Sequence, residues 1–149
     1  MSKAESADLI LKLYDMRREE KMREARGWVA GFFPESIEDI MGAMINPETS
    51  AKLRMVISYW DMAASFVNHG AIDADMFRDT NGEYLFVFSK IEPHLEGMRA
   101  MMSNPNFLSN LEKLISQMPD YKEQLATRRE TMKRMIEASK AAAAAAAQV

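Results

Sequence analysis

The chain has 149 residues, of which 48% are apolar and 28% charged, and this is the composition of a soluble globular domain rather than of a disordered segment. It contains no cysteine, which excludes disulfides, thiolate metal sites and cysteine nucleophiles and suits a reducing compartment. The net charge is −3, and residues 27–119 carry twelve Asp and Glu against six Lys and Arg. We expect no nucleic-acid partner, because no concentrated basic face is available for phosphate contacts.

The apolar runs of the chain are too short to cross a membrane. The longest are Trp28–Phe33 and Tyr84–Phe88, far below the roughly 20 residues that a spanning helix needs. The first ten residues lack a long apolar core followed by a small-residue cleavage site, so we expect no secretory signal. The sequence therefore predicts a cytoplasmic protein that does not insert into a membrane.

Helical periodicity begins close to the N-terminus. Residues 4–26 are predicted to form one long, charge-rich helix, in whose second half Met22 is the only large apolar side chain. Two glycines and a proline then interrupt the pattern and allow the chain to turn. Trp28, Phe32 and Phe33 lie at this turn, where they form either a hydrophobic plug at one end of a bundle or an anchor for a partner.

Capping signals mark two helices in the next part of the chain. Ser36 is predicted to cap a helix over residues 37–45, and Pro47 is predicted to begin a helix that ends near His69. Gly70 follows at a position typical of a left-handed C-terminal cap. The second of these helices has the most regular apolar stripe, which consists of Leu53, Val56, Ile57, Trp60, Ala63, Ala64 and Val67.

A short helix and a long interrupted one are predicted after the glycine corner. Asp73 is expected to cap the short helix, Ala74–Arg78. A longer helix from about Glu83 to Met102 carries aromatic residues on its apolar face. Pro93 lies inside it and removes one backbone hydrogen bond, so a kink or a break is expected there.

Two further helices are predicted over residues 106–117 and from Pro119 onwards, followed by a low-complexity alanine tail at residues 141–149. The complete pattern contains no strand signal and no internal repeat. It predicts an all-α fold: one antiparallel helical bundle over residues 1–140, built from about four main helices and several short ones.

The segment from Tyr59 to Arg99 combines an aromatic-rich helix, a glycine corner, and a second aromatic helix with an internal proline and a terminal arginine. Its characteristic residues are Phe66, Val67, Gly70, Ala71, Ile72, Asp73, Phe77, the Tyr84–Phe88 cluster, Pro93 and Arg99. The segment resembles a family of uncharacterised bacterial helical proteins, known only as a domain of unknown function and often found beside membrane-anchored relatives. Asp79-Thr80-Asn81 departs from the usual apolar continuation. The resemblance implies a helical fold and no established activity or catalytic residue.

No residue pattern indicates catalysis, a cofactor or a metal site. Asp73, Asp75, Asp79 and Glu83 cluster near the corner, but no register of a calcium-binding loop fits them, and helix capping and solvation explain them more simply. Neither histidine has the spacing of a di-iron or nucleophile motif. We therefore predict no catalytic, cofactor-binding or metal-binding residues.

One charged pair inside the apolar pattern is a candidate structural contact. Asp61 directly follows Trp60 on the most apolar helix, and Arg99 lies near the end of the other long one. An ion pair between Asp61 and Arg99 would fix the register of these two helices.

The surplus of apolar helix surface, including 14 methionines, favours a function in binding. Since no convergent polar site is visible, we predict a non-enzymatic helical interaction or scaffold module that forms a homodimer. Two alternatives remain open. One is a sensor that binds a small apolar ligand in a methionine-lined cavity between helices, and the other is a metal-dependent hydrolase that uses the acidic corner.

Overall fold

The computed structural model describes residues 2–148. Within that range the chain forms nine α-helices, one 3-10 turn and no strand. The helices are α1 Lys3–Arg18, α2 Glu20–Ala30, α3 Ile37–Ile45, α4 Pro47–Asn68, α5 Ala74–Thr80, α6 Glu83–Ile91, α7 Leu95–Met101, α8 Ser109–Ile115 and α9 Tyr121–Ala147, with the 3-10 turn at Glu92–His94 between α6 and α7. The predicted all-α fold is confirmed.

Helix α4 is the centre of the bundle. Helices α2, α3 and α8 pack along it, and α6 packs against α9. Val56, Trp60, Ala63 and Ala64 of α4 are almost completely buried because these neighbours surround the helix. The arrangement is that of a helical bundle with short connections, as the apolar stripes predicted.

The N-terminal helix differs from the prediction, because residues 4–26 form parts of two helices rather than one. The break lies at Glu19, whose backbone is extended (φ −59°, ψ 142°) and whose carboxylate accepts a hydrogen bond from the Met22 amide at 2.9 Å. Helix α2 then continues through Gly27 to Ala30. The local sequence favours a helix throughout, so packing causes the break: it turns the apolar side of α2 towards α4.

The predicted caps and stops in the middle of the chain are confirmed. Ser36 Oγ accepts a hydrogen bond from the Asp39 amide at 3.2 Å and caps α3. Gly70 has a φ of +79°, the left-handed conformation that glycine adopts at helix ends without strain. Pro93 lies in the 3-10 turn, where it separates α6 from α7.

The C-terminal part contains a shorter helix and a longer helix than the sequence predicted. Helix α8 begins only at Ser109, because Leu108 adopts a left-handed conformation with φ 56°. Helix α9 crosses residue 140 without a break and carries the exposed alanine segment as far as Ala147. Across residues 2–148, no helix combines the length and the apolar character required to span a bilayer.

Candidate functional site

The four carboxylates of the acidic corner take separate roles. Asp73 caps α5, Asp75 pairs with Arg78 at 2.5 Å on the surface, and Asp79 is exposed. Glu83 contacts side chains of α2 and α4 instead. In the part of the chain that the structure describes, residues 2–148, no three His, Cys, Asp or Glu side chains are placed to hold a metal ion together. The four carboxylates of the corner therefore do not form the shared set of ligands that a metal-dependent hydrolase would need.

The two histidines lie at helix ends. Nδ1 of His69 is 2.8 Å from the carbonyl oxygen of Ser65, one turn earlier in α4. His94 is half-buried at the end of the 3-10 turn and lines a groove beside α9. The contact of His69 with the last turn of α4 accounts for its position, whereas His94 belongs to a surface groove described below.

Asp61 does not pair with Arg99 as predicted. Its carboxylate accepts hydrogen bonds from the Leu111 amide at 3.0 Å and from Nδ2 of Asn110 at 3.1 Å. Both donors lie in the first turn of α8, where the N-cap residue Leu108 supplies no capping side chain. Asp61 of α4 therefore caps α8. Its carboxylate lies beside the first turn of α8, where backbone amides have no acceptor within the helix itself.

Arg99 joins α7 to α8 on its own. Its Nε donates to the carbonyl of Phe107 at 3.0 Å, and its two Nη atoms contact Glu112 at 3.1 Å and Glu96 at 3.0 Å. The predicted ion pair is thus replaced by two separate structural contacts. The reason is that α8 and the loop before it place other partners within hydrogen-bond distance of each residue.

Replacing Asp61 with alanine is expected to lower the free energy of unfolding by about 1–2 kcal/mol, because the buried end of α8 loses the acceptor for its Leu111 amide. Asp61→Asn keeps an oxygen acceptor and should recover most of that stability. Urea denaturation followed by circular dichroism measures both. Equal midpoints for wild type and Asp61→Ala would contradict the capping role.

The aromatic group at the end of α2 is partly core and partly surface. The rings of Trp28 and Phe32 are stacked with centroids 4.8 Å apart, and both pack against the hydrophobic core. Phe33 is exposed, and its ring centre lies 4.5 Å from Nζ of Lys90. This placement favours a plug for Trp28 and Phe32, while an anchoring role for any of the three stays a prediction.

A polar network that the sequence did not predict joins α2, α4 and α6. Glu83 accepts two parallel hydrogen bonds from Nε and Nη2 of Arg26, at 3.0 and 2.9 Å, and one from Nε1 of buried Trp60 at 2.9 Å. Nη1 of Arg26 also reaches the carbonyl of Arg17 at the α1–α2 break, at 3.3 Å. Such charge-assisted, bidentate contacts are strong. The network therefore fixes three helices and the break relative to one another.

Lys90 is a lysine of α6 that is only 7% exposed. Its Nζ donates hydrogen bonds to the carbonyls of Val29 and Ala30, which lie in the last turn of α2. Burial lowers the pKa of the Lys90 ammonium from 10.5 to about 8, and the Glu83 carboxylate opposes this shift. Lys90 therefore places a cation at the edge of an apolar region at neutral pH.

An apolar cleft of about 340 Å³ lies between α2, α6 and α9, and we name it the α2–α6–α9 cleft. Glu83 and Lys90 both line it and are about 10 Å apart along α6, given the rise of a helix. The volume falls within the range of small-molecule sites. The remaining lining residues are Arg26, Val29, Ala30, Val56, Phe86, Val87, Met132 and Met135.

A second open site is a groove of about 630 Å³ where α1 and α2 meet beside α4. We name it the methionine groove, because Met16, Met22, Met55 and Met62 line it together with Glu19, Ser58 and Tyr59. Met16 and Met55 are exposed, whereas Met22 is buried. Four flexible thioether side chains therefore line one open groove, in which those of Met16 and Met55 are accessible to solvent.

Sequence reasoning could have found only part of these sites. Lys90 is the only charged residue between Tyr84 and Ile91, and a charge inside an apolar run is a signal of a special environment. Glu83 carries no such signal, since an acidic residue is ordinary in the first turn of a helix. The methionine groove depends on the break at Glu19, which the local pattern does not indicate.

No curated protein and no solved structure matches this chain at a significant level. The model of a protein family, described as domain of unknown function DUF4760, matches residues 3–118. The match spans α1 to α8 and includes the whole segment Tyr59–Arg99, so the resemblance noted from the sequence is confirmed. Helix α9 lies beyond the matched region. The chain belongs to the DUF4760 family of domains of unknown function.

Proposed function

We propose that the chain is a non-enzymatic helical interaction module that self-associates through the methionine groove. The supporting observation is that Met16, Met22, Met55 and Met62 line one open groove. The flexible methionine side chain adapts its shape to a partner, and an apolar groove between helices is a common binding site for an amphipathic helix. An exposed apolar surface of this kind is typical of a protein-interaction site.

The non-enzymatic part of the proposal is supported by the roles of the polar side chains. Glu83 and Arg26 bind each other, Asp61 caps α8, and Arg99 ties α7 to α8. Lys90 Nζ donates to two backbone carbonyls, which orients it as a hydrogen-bond donor rather than as a nucleophile. Each of these groups has a structural task in the bundle.

A second copy of the chain is the partner that fits the groove best. Leu11 and Tyr14 are exposed on α1 at a helical spacing of three residues, so they present apolar side chains together. The guanidinium of Arg18 lies 5.8 Å from the centre of the Tyr14 ring, whereas Glu19 is the charged residue of the groove. Helix α1 of one copy can therefore place its apolar side chains in the apolar groove of the other copy and Arg18 near Glu19. In a dimer with a two-fold axis, each copy makes the same contact with the other.

The cysteine-free composition supports a reducing, cytoplasmic setting for this module, and we include that location in the proposal.

Sedimentation velocity over a range of concentrations tests self-association. Wild type is expected to form a dimer, and Met55→Glu is expected to weaken it at least tenfold by placing a carboxylate in the groove. Met55 is 37% exposed, so the substitution should leave the fold intact. The matched control is Ile45→Glu, at an apolar side chain that is 75% exposed and lies outside the groove.

A wild-type chain that remains a monomer up to millimolar concentration would overturn the proposal. So would equal dissociation constants for Met55→Glu and Ile45→Glu. Tyr14→Ala should weaken the dimer as well, since Tyr14 is expected to fill the groove from the other copy.

A further inference from the structure

We infer that the α2–α6–α9 cleft binds a small amphipathic carboxylic acid, whose head group contacts Lys90 and whose apolar chain lies along Val87 and Met132. This binding site is independent of the proposed self-association, because the methionine groove and the cleft have no lining residue in common.

The walls of the cleft suit an apolar chain. Val29 and Val87 are buried side chains of α2 and α6, and Val56 of α4 also lines the cleft. Phe86 and Met135 are exposed on its rim. A flexible chain entering here would cover apolar surface that is otherwise in contact with water, which is favourable by about 25 cal/mol per Å².

The charges of the cleft are asymmetric along its length. At one end Arg26 and Glu83 form a bidentate pair and neutralise each other. At the other end Lys90 has no carboxylate partner within 4.0 Å among the ion pairs of residues 2–148. An anionic head group therefore gains more at the Lys90 end than at the Glu83 end.

The ammonium of Lys90 has room for one further acceptor. A lysine carries three N–H donors, and two of them are used by the carbonyls of Val29 and Ala30. Nζ also contacts the ring of Phe33, whose centre is 4.5 Å away. A carboxylate oxygen would exchange this weaker cation–π contact for a charge-assisted hydrogen bond.

The surface that adjoins the Lys90 end carries charges of both signs. A groove of about 800 Å³ beside α9 shares Lys90 and Met132 with the cleft. Its other charged or titratable residues are Glu35, His94, Arg129, Lys133, Glu137 and Lys140. Arg129 is 3.6 Å from Glu92 and is thereby partly neutralised. Lys133 and Lys140 are balanced in number by Glu35 and Glu137, so the ammonium of Lys90 is the excess positive charge and favours an acid over an amine at this end.

Helix α9 supplies one wall of the cleft through Met132 and Met135, and it lies outside the region that defines the family. The inferred site therefore belongs to the whole chain rather than to the family domain of residues 3–118 alone. For this reason the test uses the full chain.

Methionine methyl groups report directly on binding, since two lie in the cleft and four in the methionine groove. We would titrate the chain, labelled with ¹³C at the methionine methyls, with decanoate and with decanol at pH 7. Decanoate is expected to shift the Met132 and Met135 signals and to bind at least tenfold more tightly than decanol. The two probes share a similar chain length, so this difference measures the contribution of the carboxylate.

Two substitutions test the assigned contacts. Lys90→Met should reduce the affinity for decanoate to that for decanol. Met135→Glu, at an exposed position of α9, keeps Lys90 and its hydrogen bonds and should weaken decanoate binding more than decanol binding. Ile45→Glu, at an exposed apolar position outside both the cleft and the methionine groove, is the matched control and should leave both affinities unchanged.

Three results would overturn the inference. They are no shift of Met132 and Met135 with decanoate, equal affinities of wild type for decanoate and decanol, and shifts confined to Met16, Met55 and Met62. None of these depends on the oligomeric state, so a failure here is distinguishable from a failure of self-association.

Discussion

Replacing Glu83 with alanine is expected to lower the free energy of unfolding by about 2–4 kcal/mol. Glu83 accepts hydrogen bonds from Arg26 of α2 and from Trp60 of α4. Trp60 is almost completely buried, so its indole N–H would be left without an acceptor. The loss should therefore exceed that of an ordinary surface ion pair, which is worth about 0–1 kcal/mol.

Urea denaturation followed by circular dichroism and by tryptophan fluorescence measures this change. Glu83→Gln should be intermediate, because it keeps an oxygen for Trp60 but loses the charge that faces Arg26. Glu96→Ala is the matched control, since the Glu96 side chain is 87% exposed and its pair with Arg99 should contribute little. Similar losses in Glu83→Ala and Glu96→Ala would contradict the role of the network.

Lys90 is expected to make the stability of the protein rise with pH above about 8. Its ammonium has a pKa of about 8 in the folded chain, against 10.5 in the absence of burial. Below pH 8 both states are protonated, and the cost of burying the charge is fully present. Between pH 8 and 10.5 the unfolded state holds a proton that the folded state has released, so raising the pH relieves that cost.

The comparison with Lys90→Met isolates this effect. Above pH 8, the free energy of unfolding of wild type should rise relative to that of Lys90→Met by up to about 1.4 kcal/mol per pH unit. The difference between the two proteins should be constant from pH 6 to 7. Tyr59 and Tyr84, whose pKa values burial raises, affect both proteins alike and cancel.

Urea denaturation of both proteins at several pH values between 6 and 10 provides the measurement. The charged and titratable groups that line the cleft or the groove with Lys90 are Glu83 on α6, Arg26 on α2, Arg129, Lys133, Glu137 and Lys140 on α9, Glu35 and His94. Those groups remain in Lys90→Met. Parallel stability curves for the two proteins would show that the Lys90 ammonium is not perturbed by burial.

Short-range signals determined most of the helix ends. Ser36 and Asp73 cap the helices that they were predicted to cap, and Pro93 ends α6. These predictions succeed because a cap or a proline acts on the backbone within one turn of itself. The apolar stripe of α4 was equally informative, since its spacing places these residues on the side that the other helices cover.

Predictions that depended on distant neighbours were less successful. Asp61 was paired with the wrong partner, because its true partner is the backbone of α8, and backbone amides are invisible in a side-chain pattern. The α1–α2 break at Glu19 lies in a sequence that favours a helix on both sides. The connection between Glu83 and Arg26 spans 57 residues of chain, and no local pattern encodes it.

The amino-acid sequence by itself determined that this protein is an all-α bundle, where most of its helices begin and end, and that it is rich in adaptable apolar side chains. Only the tertiary structure decided that Glu83 binds Trp60 and Arg26, that Lys90 is buried against the end of α2, and that four methionines share one groove. The physical reason is the range of the interactions. Periodicity and capping act within a few residues, whereas burial, desolvation and ion pairing depend on which distant segments the folded bundle brings together.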